Sequence, residues 1–192
     1  MSSERQNKLV VLAAPSGTGK STLAAMLLAR QPSFQLSISH TTRAPRGEEK
    51  NGKDYYFVDQ SEFRRMIEQD EFLEYALVFG KNYYGTSRAA VESWLSSGKN
   101  VLFDIDVQGA ASLKKAFGPR CVTVFILPPS MQELEQRLRN RKTETPEAIE
   151  LRLKTAREEM KAAPSFDHQI VNQDLEATYA QLEVLLKKEG CI

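Results

Sequence analysis

The stretch Leu9-Val-Val-Leu-Ala-Ala-Pro-Ser-Gly-Thr-Gly-Lys-Ser-Thr22 decides the fold of this chain. It joins an apolar run to a loop of small residues and then to an amphipathic segment that opens on Lys20 and Ser21. A strand, a glycine-containing loop and a helix in this order are the context of a phosphate-binding loop. Gly17 and Gly19 allow backbone N–H groups to wrap around an anion, and the helix N-terminus adds partial positive charge.

The residues of this loop match the needs of triphosphate binding. Lys20 is expected to neutralise the β- and γ-phosphates, and Ser21 is a candidate ligand for Mg²⁺. Ala14 stands where the pattern G-x-x-x-x-G-K-[ST] has its first glycine, and alanine fits there only with a negative φ. The structural alternative is a chance turn before a helix. The predicted nucleotide-binding residues here are Ala14, Pro15, Ser16, Gly17, Thr18, Gly19, Lys20, Ser21 and Thr22.

Short apolar runs rich in β-branched residues alternate along the chain with segments of helical periodicity. The runs cover residues 9–13, 36–39, 101–105, 122–127 and 169–171. The predicted helices cover residues 20–30, 61–69, 87–96, 109–117, 131–140, 146–162 and 175–189. This alternation predicts an α/β fold in which a mainly parallel sheet is flanked by helices, as in P-loop NTPases. Ser130, Thr145 and Asp174 are expected to cap the helices that follow them.

Two stretches do not fit this layered core. Residues 39–86 contain a charged turn segment and short strand-like runs, and they look like an inserted subdomain. Residues 137–152 are rich in basic side chains around a turn, and they look like a short helical lid. We therefore predict one domain over residues 1–192, with the core at about 1–38, 87–136 and 153–192.

Composition limits the partners of the chain. The 192 residues carry 26 Lys and Arg against 25 Asp and Glu, a formal charge of +1, so no general excess of charge favours nucleic acid or an anionic membrane. The longest apolar run is far shorter than the roughly 20 residues that a membrane span requires. Cys121 and Cys191 form neither a disulfide framework nor a metal-binding spacing, which favours the cytoplasm. The oligomeric state cannot be read from the sequence.

A second group of residues suits an additional phosphate. The segment Ser39-His-Thr-Thr-Arg-Ala-Pro-Arg-Gly-Glu48 places Arg43 and Arg46 around Pro45, after a predicted strand and near several hydroxyl groups. Guanidinium groups bind oxyanions through paired hydrogen bonds. A solvated basic loop is the structural alternative.

Two acids follow a predicted buried strand. Asp104 and Asp106 are two residues apart, so on a strand they would point to one face, at the end where open α/β sheets bind ligands. Asp104 is similar to a Walker B acid and is a candidate for water-mediated contact with Mg²⁺ or for contact with an acceptor nucleotide. Acids that serve only solubility are the alternative.

The segments Asn51-Gly-Lys-Asp-Tyr-Tyr-Phe57, Glu71-Phe-Leu-Glu-Tyr75 and Asn82-Tyr-Tyr-Gly-Thr86 each place polar groups beside aromatic residues. With these motifs the chain resembles the guanylate kinase family, ATP-dependent nucleoside monophosphate kinases that make GDP from GMP. The resemblance extends from the phosphate-binding loop to Val171 and Asn172. It implies transfer of the γ-phosphoryl group of ATP to GMP, and also to dGMP, with Mg²⁺ as cofactor.

The resemblance also implies the roles of individual residues. Those that would hold the GMP phosphate are Ser39, Arg43, Arg46, Tyr55 and Tyr84. Glu74, Thr86 and Asp106 would recognise guanine, whose N1–H and N2–H₂ groups are donors that suit a carboxylate acceptor. Asn172 matches an adenine-contact position, and a backbone-capping role is the alternative for it. The cations expected around the transferred phosphoryl group are Lys20, Arg43, Arg137, Arg141 and Arg152, the last three from the lid.

Two alternatives remain open on the sequence. One is a kinase of the same architecture that phosphorylates another acceptor, such as a ribosyl phosphate or a different nucleoside monophosphate. The other is a catalytically inactive guanylate-kinase-like scaffold module that binds phosphopeptides in the acceptor cleft. Such a module is expected to have a degraded ATP loop, whereas this chain keeps Lys20, Ser21 and the lid arginines.

Overall fold

The computed structural model describes residues 7–78, 80–140 and 145–192. In chain order the described strands are β1 (Leu9–Ala13), β2 (Phe34–Leu36), β3 (His40–Thr41), β4 (Tyr56–Phe57), β5 (Phe72–Val78), β6 (Asn82–Ser87), β7 (Asn100–Asp104), β8 (Cys121–Leu127) and β9 (His168–Val171). The helices are α1 (Lys20–Arg30), α2 (Gln60–Glu68), α3 (Arg88–Ser96), α4 (Val107–Phe117), α5 (Met131–Asn140), α6 (Pro146–Met160) and α7 (Leu175–Lys188).

Five strands form a parallel sheet in the order β2-β7-β1-β8-β9. The central strand β1 is fully buried, because side chains that alternate along it pack into apolar layers on both faces. Val10 and Leu12 pack in the layer that includes α1 and α7, whereas Leu9 and Val11 pack in the layer that includes α3 and α4. The predicted α/β fold with a parallel sheet is therefore confirmed.

A second sheet of four strands has the order β4-β3-β6-β5. The β3–β6 and β5–β6 pairs are antiparallel, and the β3–β4 pair is parallel. Phe63 and Met66 of α2 pack with Phe72 of β5 in a separate apolar cluster. This sheet lies within the segment that the sequence sets apart from the core, while the predicted domain boundaries stay a prediction.

Several helix starts agree with the capping residues expected from the sequence. The hydroxyl groups of Ser130 and Thr145 accept hydrogen bonds from the backbone N–H groups of Glu133 and Ala148, at 3.1 and 3.3 Å. The carboxylate of Asp174 accepts one from Ala177 at 2.9 Å. Each cap satisfies an N–H group that has no partner within its own helix.

Other boundaries differ from the prediction. Strand β2 covers residues 34–36 rather than 36–39, because its pairing with β7 begins at Phe34 and Asn100. Helix α4 begins at Val107 rather than at residue 109, because Asp106 is its N-cap and accepts a hydrogen bond from Gly109 N–H at 2.8 Å. Asp106 therefore does not lie on the strand with Asp104, and the expectation that the two acids share one strand face is wrong.

Within the described residues no helix combines the length and the apolar character that crossing a membrane requires.

One carboxylate ties three elements of the main sheet layer together. Oδ2 of Asp167, just before β9, accepts hydrogen bonds from the backbone N–H and the hydroxyl of Thr123, both at 2.9 Å, and from Lys114 Nζ at 2.8 Å. Burial raises the pKa of Asp167, but the hydrogen bonds from Lys114 and Thr123 lower it more, so the net pKa lies below its ordinary value of 3.8.

We expect Asp167→Asn to lower the free energy of unfolding at neutral pH by about 1–3 kcal/mol, because the charged acceptor of Thr123 and Lys114 is lost. Since the folded-state pKa lies below the unfolded-state value, this stabilisation is complete above the unfolded pKa. It disappears as the pH falls through the folded pKa, below 3.8. Urea unfolding across a series of acidic pH values measures the effect, with exposed Glu68→Gln as the control. An unchanged pH dependence in Asp167→Asn would contradict it.

Candidate active site

A cavity of about 480 Å³ lies at the carboxyl ends of β1 and β7 and extends to the second sheet. Its size is that of a small-molecule site. Most of the predicted site residues line it: Ala14, Pro15, Ser16, Gly17, Gly19, Lys20, Ser21, Thr22, Ser39, Tyr55, Glu74, Tyr84, Asp104 and Asp106. The structure thus brings together residues that are distant in sequence and that come from both sheets.

The loop between β1 and α1 has the geometry expected of an anion-binding loop. Gly17 and Gly19 have φ values of 94° and 97°, which residues with side chains rarely adopt. Among the described residues Asp70 is the one non-glycine residue with a positive φ, so Ala14 meets the condition set for it. Gly19 caps α1 without a side-chain hydrogen bond, which leaves the first N–H groups of the helix available to an anion.

Lys20 and Ser21 both contact the acid at the end of β7. Lys20 Nζ forms an ion pair with Asp104 and lies 3.3 Å from the carbonyl oxygen of Ile105. The Ser21 hydroxyl donates to Asp104 Oδ2 at 3.1 Å. The register of the parallel sheet explains this meeting, because Leu12 of β1 pairs with Asp104. A hydroxyl and a carboxylate side by side are oxygen donors of the kind that Mg²⁺ prefers.

Thr18 of the loop and Asn172, which follows β9, are both buried, and neither is among the described residues that line the cavity. Asn172 Nδ2 donates to the Thr18 carbonyl at 2.6 Å, and Asn172 Oδ1 accepts from the Thr178 hydroxyl at 2.9 Å. A Cβ atom at Gly19 would lie 2.6 Å from Asn172 Nδ2, so only glycine allows this close approach. The Asn172 side chain therefore braces the loop through the main chain of Thr18.

The predicted acceptor-phosphate residues form two layers. Ser39, Tyr55 and Tyr84 line the cavity, whereas Arg43 lies behind the two tyrosines and is 9% exposed. Arg43 Nε donates to the Tyr84 hydroxyl at 3.2 Å, and the guanidinium carbon lies 5.3 Å from the centre of the Tyr55 ring. Arg46 is exposed and is not among the lining residues in the described part of the chain.

The Glu74 carboxylate of β5 lies near Asp106, the N-cap residue of α4. The Thr86 hydroxyl donates to Glu74 Oε1 at 2.5 Å. A Cβ atom at Gly109 would lie 3.2 Å from Glu74 Oε2 and 3.5 Å from Asp106 Oδ1, so the glycine leaves room for both acids. Burial raises the pKa of Glu74, and the nearby Asp106 charge raises it further, against the effect of the Thr86 hydrogen bond.

Two of the predicted lid arginines reach the phosphate-binding loop or its support. Arg152 Nη1 donates to the Ser16 hydroxyl at 2.6 Å. Arg137 Nη2 donates to the carbonyl of Asn172 at 3.2 Å, and its Nε lies 3.7 Å from Glu133. Arg141 and the rest of residues 141–144 lie outside the described residues. Leu134 and Leu138 of α5 pack against Ile149 and Leu153 of α6, which joins the helices that carry these arginines.

Sequence reasoning missed Glu159, a cavity-lining acid near the end of α6. Burial raises the pKa of Glu159, the Lys20 charge lowers it, and the Asp106 charge raises it. Glu159 follows Arg152 by seven residues, a spacing that places both on one face of a helix. That spacing was the available signal, because Arg152 was already assigned to the site.

The parallel sheet and the Gly-Lys-Ser loop place this protein among the P-loop nucleotide-binding proteins. The family model described as guanylate kinase matches residues 6–189. Guanylate kinase of Bacteroides thetaiotaomicron is 49% identical over 179 residues, covering 93% of this chain and 88% of the relative. Guanylate kinase of Rickettsia felis is 46% identical over 189 residues, covering 98% and 97%.

A solved structure agrees with these relatives. The crystal structure of guanylate kinase from Anaplasma phagocytophilum superposes with a TM-score of 0.79 at 37% identity, covering 98% of this chain and 89% of that one. The chain belongs to the guanylate kinase family. It is a kinase, and the family acts on nucleotide substrates and uses ATP as phosphate donor.

We expect Asn172→Ala to raise the KM for ATP and to lower the free energy of unfolding by about 1–3 kcal/mol, because buried partners at Thr18 and Thr178 lose their hydrogen bonds. Steady-state kinetics and urea unfolding measure the two effects. The neighbouring exposed residue supplies the control, Gln173→Ala, for which neither quantity should change. A wild-type KM for ATP in Asn172→Ala would show that the loop does not depend on this side chain.

Proposed function

We propose that this protein transfers the γ-phosphoryl group of ATP to GMP, and also to dGMP, with Mg²⁺ as cofactor and with Lys and Arg side chains stabilising the transferred group. The family's general reaction, phosphorylation of GMP by ATP, supports the first part. The observation that carries the assignment to GMP is the Glu74 carboxylate, held by Thr86 in the same cavity as Lys20.

The donor end of the proposed site is the loop between β1 and α1. We assign the β- and γ-phosphates of ATP to the N–H groups around Gly17 and Gly19 and to the charge of Lys20. Phosphoryl transfer depends mainly on positioning and charge neutralisation, so a fixed cation beside the bridging oxygens suits the reaction. Asn172 is assigned to the adenine side, where its main chain adjoins Arg137.

Ser21 and Asp104 are the residues that we assign to Mg²⁺. The contact of the Ser21 hydroxyl with Asp104 Oδ2 at 3.1 Å supports this assignment, because both are hard oxygen donors next to the loop. When bound, Mg²⁺ would neutralise phosphate charge and orient the β- and γ-phosphates. Lys20 pairs with the same carboxylate, so its ammonium group would then contact both Asp104 and the phosphates.

The acceptor phosphate is assigned to the cluster between the second sheet and the loop. Tyr84 accepts from Arg43 Nε, so its own hydroxyl hydrogen is free to donate to a phosphate oxygen. Tyr55 and Ser39 line the same side of the cavity. Arg43, stacked near Tyr55, supplies positive charge from behind these hydroxyls, and Arg46 extends the basic surface outside.

Guanine is assigned to Glu74, Thr86 and Asp106. The base offers N1–H and N2–H₂ as adjacent donors, and an ionised carboxylate only accepts. Adenine has no such pair of donors, so a half-buried carboxylate favours guanine by leaving no acceptor unpaired. Thr86 orients Glu74 through its hydroxyl, and both Glu74 and Asp106 lie close to Gly109.

The lid arginines are assigned to the transition state. Arg152 contacts Ser16 of the phosphate-binding loop, and Arg137 contacts the residue that braces it. Both therefore start within reach of the phosphate chain, and Arg141 completes the proposed set. In this proposal they exchange their present partners for the oxygens of the transferred group, which a cation stabilises as charge develops.

The contacts in the site argue against both alternatives. A kinase for another acceptor would have no need of a half-buried carboxylate paired with Thr86, so Glu74 argues against it. An inactive phosphopeptide-binding module would not need Lys20 and Ser21 in contact with Asp104, and the family assignment includes a kinase activity.

Steady-state assays with ATP and Mg²⁺ across GMP, dGMP, AMP, CMP and UMP test the proposal. Preferential turnover of AMP, CMP or UMP, or no turnover at all, would refute it.

We expect Lys20→Ala to reduce kcat by about 10²-fold or more with the fold intact, by analogy with the loss of other transition-state donors. The substitution removes the charge assigned to the β- and γ-phosphates. Exposed Lys115→Ala on α4 removes the same charge elsewhere and should keep wild-type kinetics. Circular dichroism checks the fold of both variants. Near-normal turnover by folded Lys20→Ala would reject the assignment of the ATP loop.

We expect Glu74→Gln to lower kcat/KM for GMP by about 10–100-fold, since hydrogen bonds to charged groups contribute about 1.5–3 kcal/mol. The amide has one acceptor atom and presents a competing donor to guanine. The low activity with AMP should change little, and the KM for ATP should not change. Glu92→Gln on the exposed face of α3 is the charge-matched control. If GMP kinetics survive in Glu74→Gln, the guanine assignment fails while the phosphotransfer proposal remains.

A further inference from the structure

Glu49 places a negative charge inside the group of residues assigned to the acceptor phosphate. Its carboxylate receives both terminal nitrogens of Arg43, with Nη1 and Nη2 each at 3.0 Å from one oxygen. The same carboxylate accepts the backbone N–H of Arg46 at 2.8 Å. Glu49 therefore contacts both arginines assigned to the acceptor phosphate, Arg43 through its guanidinium and Arg46 through its main chain.

The remaining contacts of Arg43 also hold its guanidinium group in place. Nη1 also donates to the Ala44 carbonyl at 2.7 Å, and Nε donates to the Tyr84 hydroxyl at 3.2 Å. The guanidinium carbon lies 5.3 Å from the Tyr55 ring centre and 5.9 Å from that of Phe57. These contacts use four of the five N–H groups of a guanidinium within the described residues. The orientation of Arg43 is thus set by its surroundings.

Charge alone makes Glu49 unfavourable for binding a phosphate dianion, because a carboxylate near the site repels it. The hydrogen bond from Arg43 lowers the pKa of Glu49, and the bond from Arg46 N–H lowers it further. The hydrogen bond to Glu49 in turn raises the pKa of Arg43 above its ordinary value. Both groups are therefore ionised at neutral pH, and the repulsion must be offset by a benefit from geometry.

We propose that Glu49 is a positioning residue for the acceptor phosphate, which holds Arg43 and the Arg46 main chain in the arrangement that presents Tyr84 and Tyr55 to GMP. The inference rests on the proposed function, because it presumes that this cluster binds the GMP phosphate. It concerns the phosphate and not the base, since Glu49 lies in the turn that follows β3, whereas Glu74 lies on β5.

An opposite role would make Glu49 a competitor that occupies the Arg43 fork in place of the phosphate. The contacts of Glu49 favour the positioning role over the competing role. Tyr84 lines the cavity and accepts from Nε of Arg43, whereas Glu49 is not among the described lining residues and accepts from Nη1 and Nη2, so the two partners use different nitrogens of the guanidinium. The Arg43 contact with Tyr84 leaves the hydroxyl hydrogen of Tyr84 free on the cavity side.

The two roles predict opposite changes for Glu49→Gln. The amide of glutamine keeps one acceptor but turns a donor toward the guanidinium. If Glu49 positions Arg43, the substitution disrupts that positioning. If Glu49 competes with the phosphate for Arg43, the substitution weakens the competitor. Glu48→Gln is the matched control, because this neighbour is exposed and its substitution removes the same charge one residue away. The measurements are KM for GMP, KM for ATP, kcat, and the dissociation constant of guanosine, which carries the base without the phosphate.

For Glu49→Gln we expect the KM for GMP to rise about tenfold, equivalent to ~1.4 kcal/mol. The KM for ATP and the dissociation constant of guanosine should each change by less than about twofold, since neither involves the acceptor phosphate. Glu48→Gln should leave all four quantities near wild type. Glu49→Asp keeps the charge but is too short to receive both nitrogens, so it should raise the KM for GMP by an intermediate factor. It also serves as the test variant should Glu49→Gln fail to fold.

An unchanged or lower KM for GMP in Glu49→Gln overturns the proposal and favours the competitor. Equal weakening of GMP, guanosine and ATP overturns it as well, because the residue would then support the fold in general. An equal rise of the KM for GMP in Glu48→Gln would assign the effect to net charge and not to the contacts of Glu49 with Arg43 and Arg46. Failure of the proposed function is distinct from all of these, because it would appear as absence of GMP phosphorylation by the unsubstituted chain.

Discussion

The parallel pairing of β1 with β7 is the constraint on which the rest of the site depends. Because Leu12 is in register with Asp104, the loop that follows β1 and the acid that ends β7 emerge side by side. Lys20 and Ser21 then reach Asp104 without any rearrangement of the backbone. The complete burial of β1 between two apolar layers makes this register costly to change, since a shift would move side chains into the wrong layer.

The second sheet supplies chemistry that the core lacks. The core offers a phosphate-binding loop common to many proteins, and fold alone does not identify what such a loop serves. Glu74 on β5 and Tyr84 on β6 line the same cavity as Lys20, which places a carboxylate and a hydroxyl, our proposed contacts for the base and the acceptor phosphate, near the phosphate-binding loop. Gly109 permits this meeting, because a side chain there would approach Glu74 Oε2 to 3.2 Å. In the proposed function, specificity thus depends on contact between elements far apart in sequence.

The sequence predicted those parts of the molecule that are determined locally. Strand β1, the glycine loop and the caps at Ser130 and Asp174 each depend on a few consecutive residues, and the structure agrees with them. Strand β3 has only two residues and owes its existence to pairing with β4 and β6, so no periodicity announced it. The bracing contacts of Asn172 and the cavity position of Glu159 depend on tertiary packing, which propensity and spacing do not encode. The helix start at Asp106 was misplaced because a strand-end acid and an N-cap acid look alike in sequence.

The cations of the site are neutralised locally, which changes how affinity for a polyanion has to arise. Lys20 pairs with Asp104, Arg43 with Glu49 and Arg137 with Glu133, so positive charge is matched by carboxylates within the site as well as across the chain. We therefore expect long-range attraction of nucleotides to be weak and to be screened further by salt. In the proposed function, binding relies instead on donors held in fixed directions: the N–H groups at the start of α1, the hydroxyls of Tyr84 and Tyr55, and guanidinium groups held by neighbouring acids. Fixed donors distinguish a correctly placed phosphate from any other anion, and a general basic surface could not make that distinction.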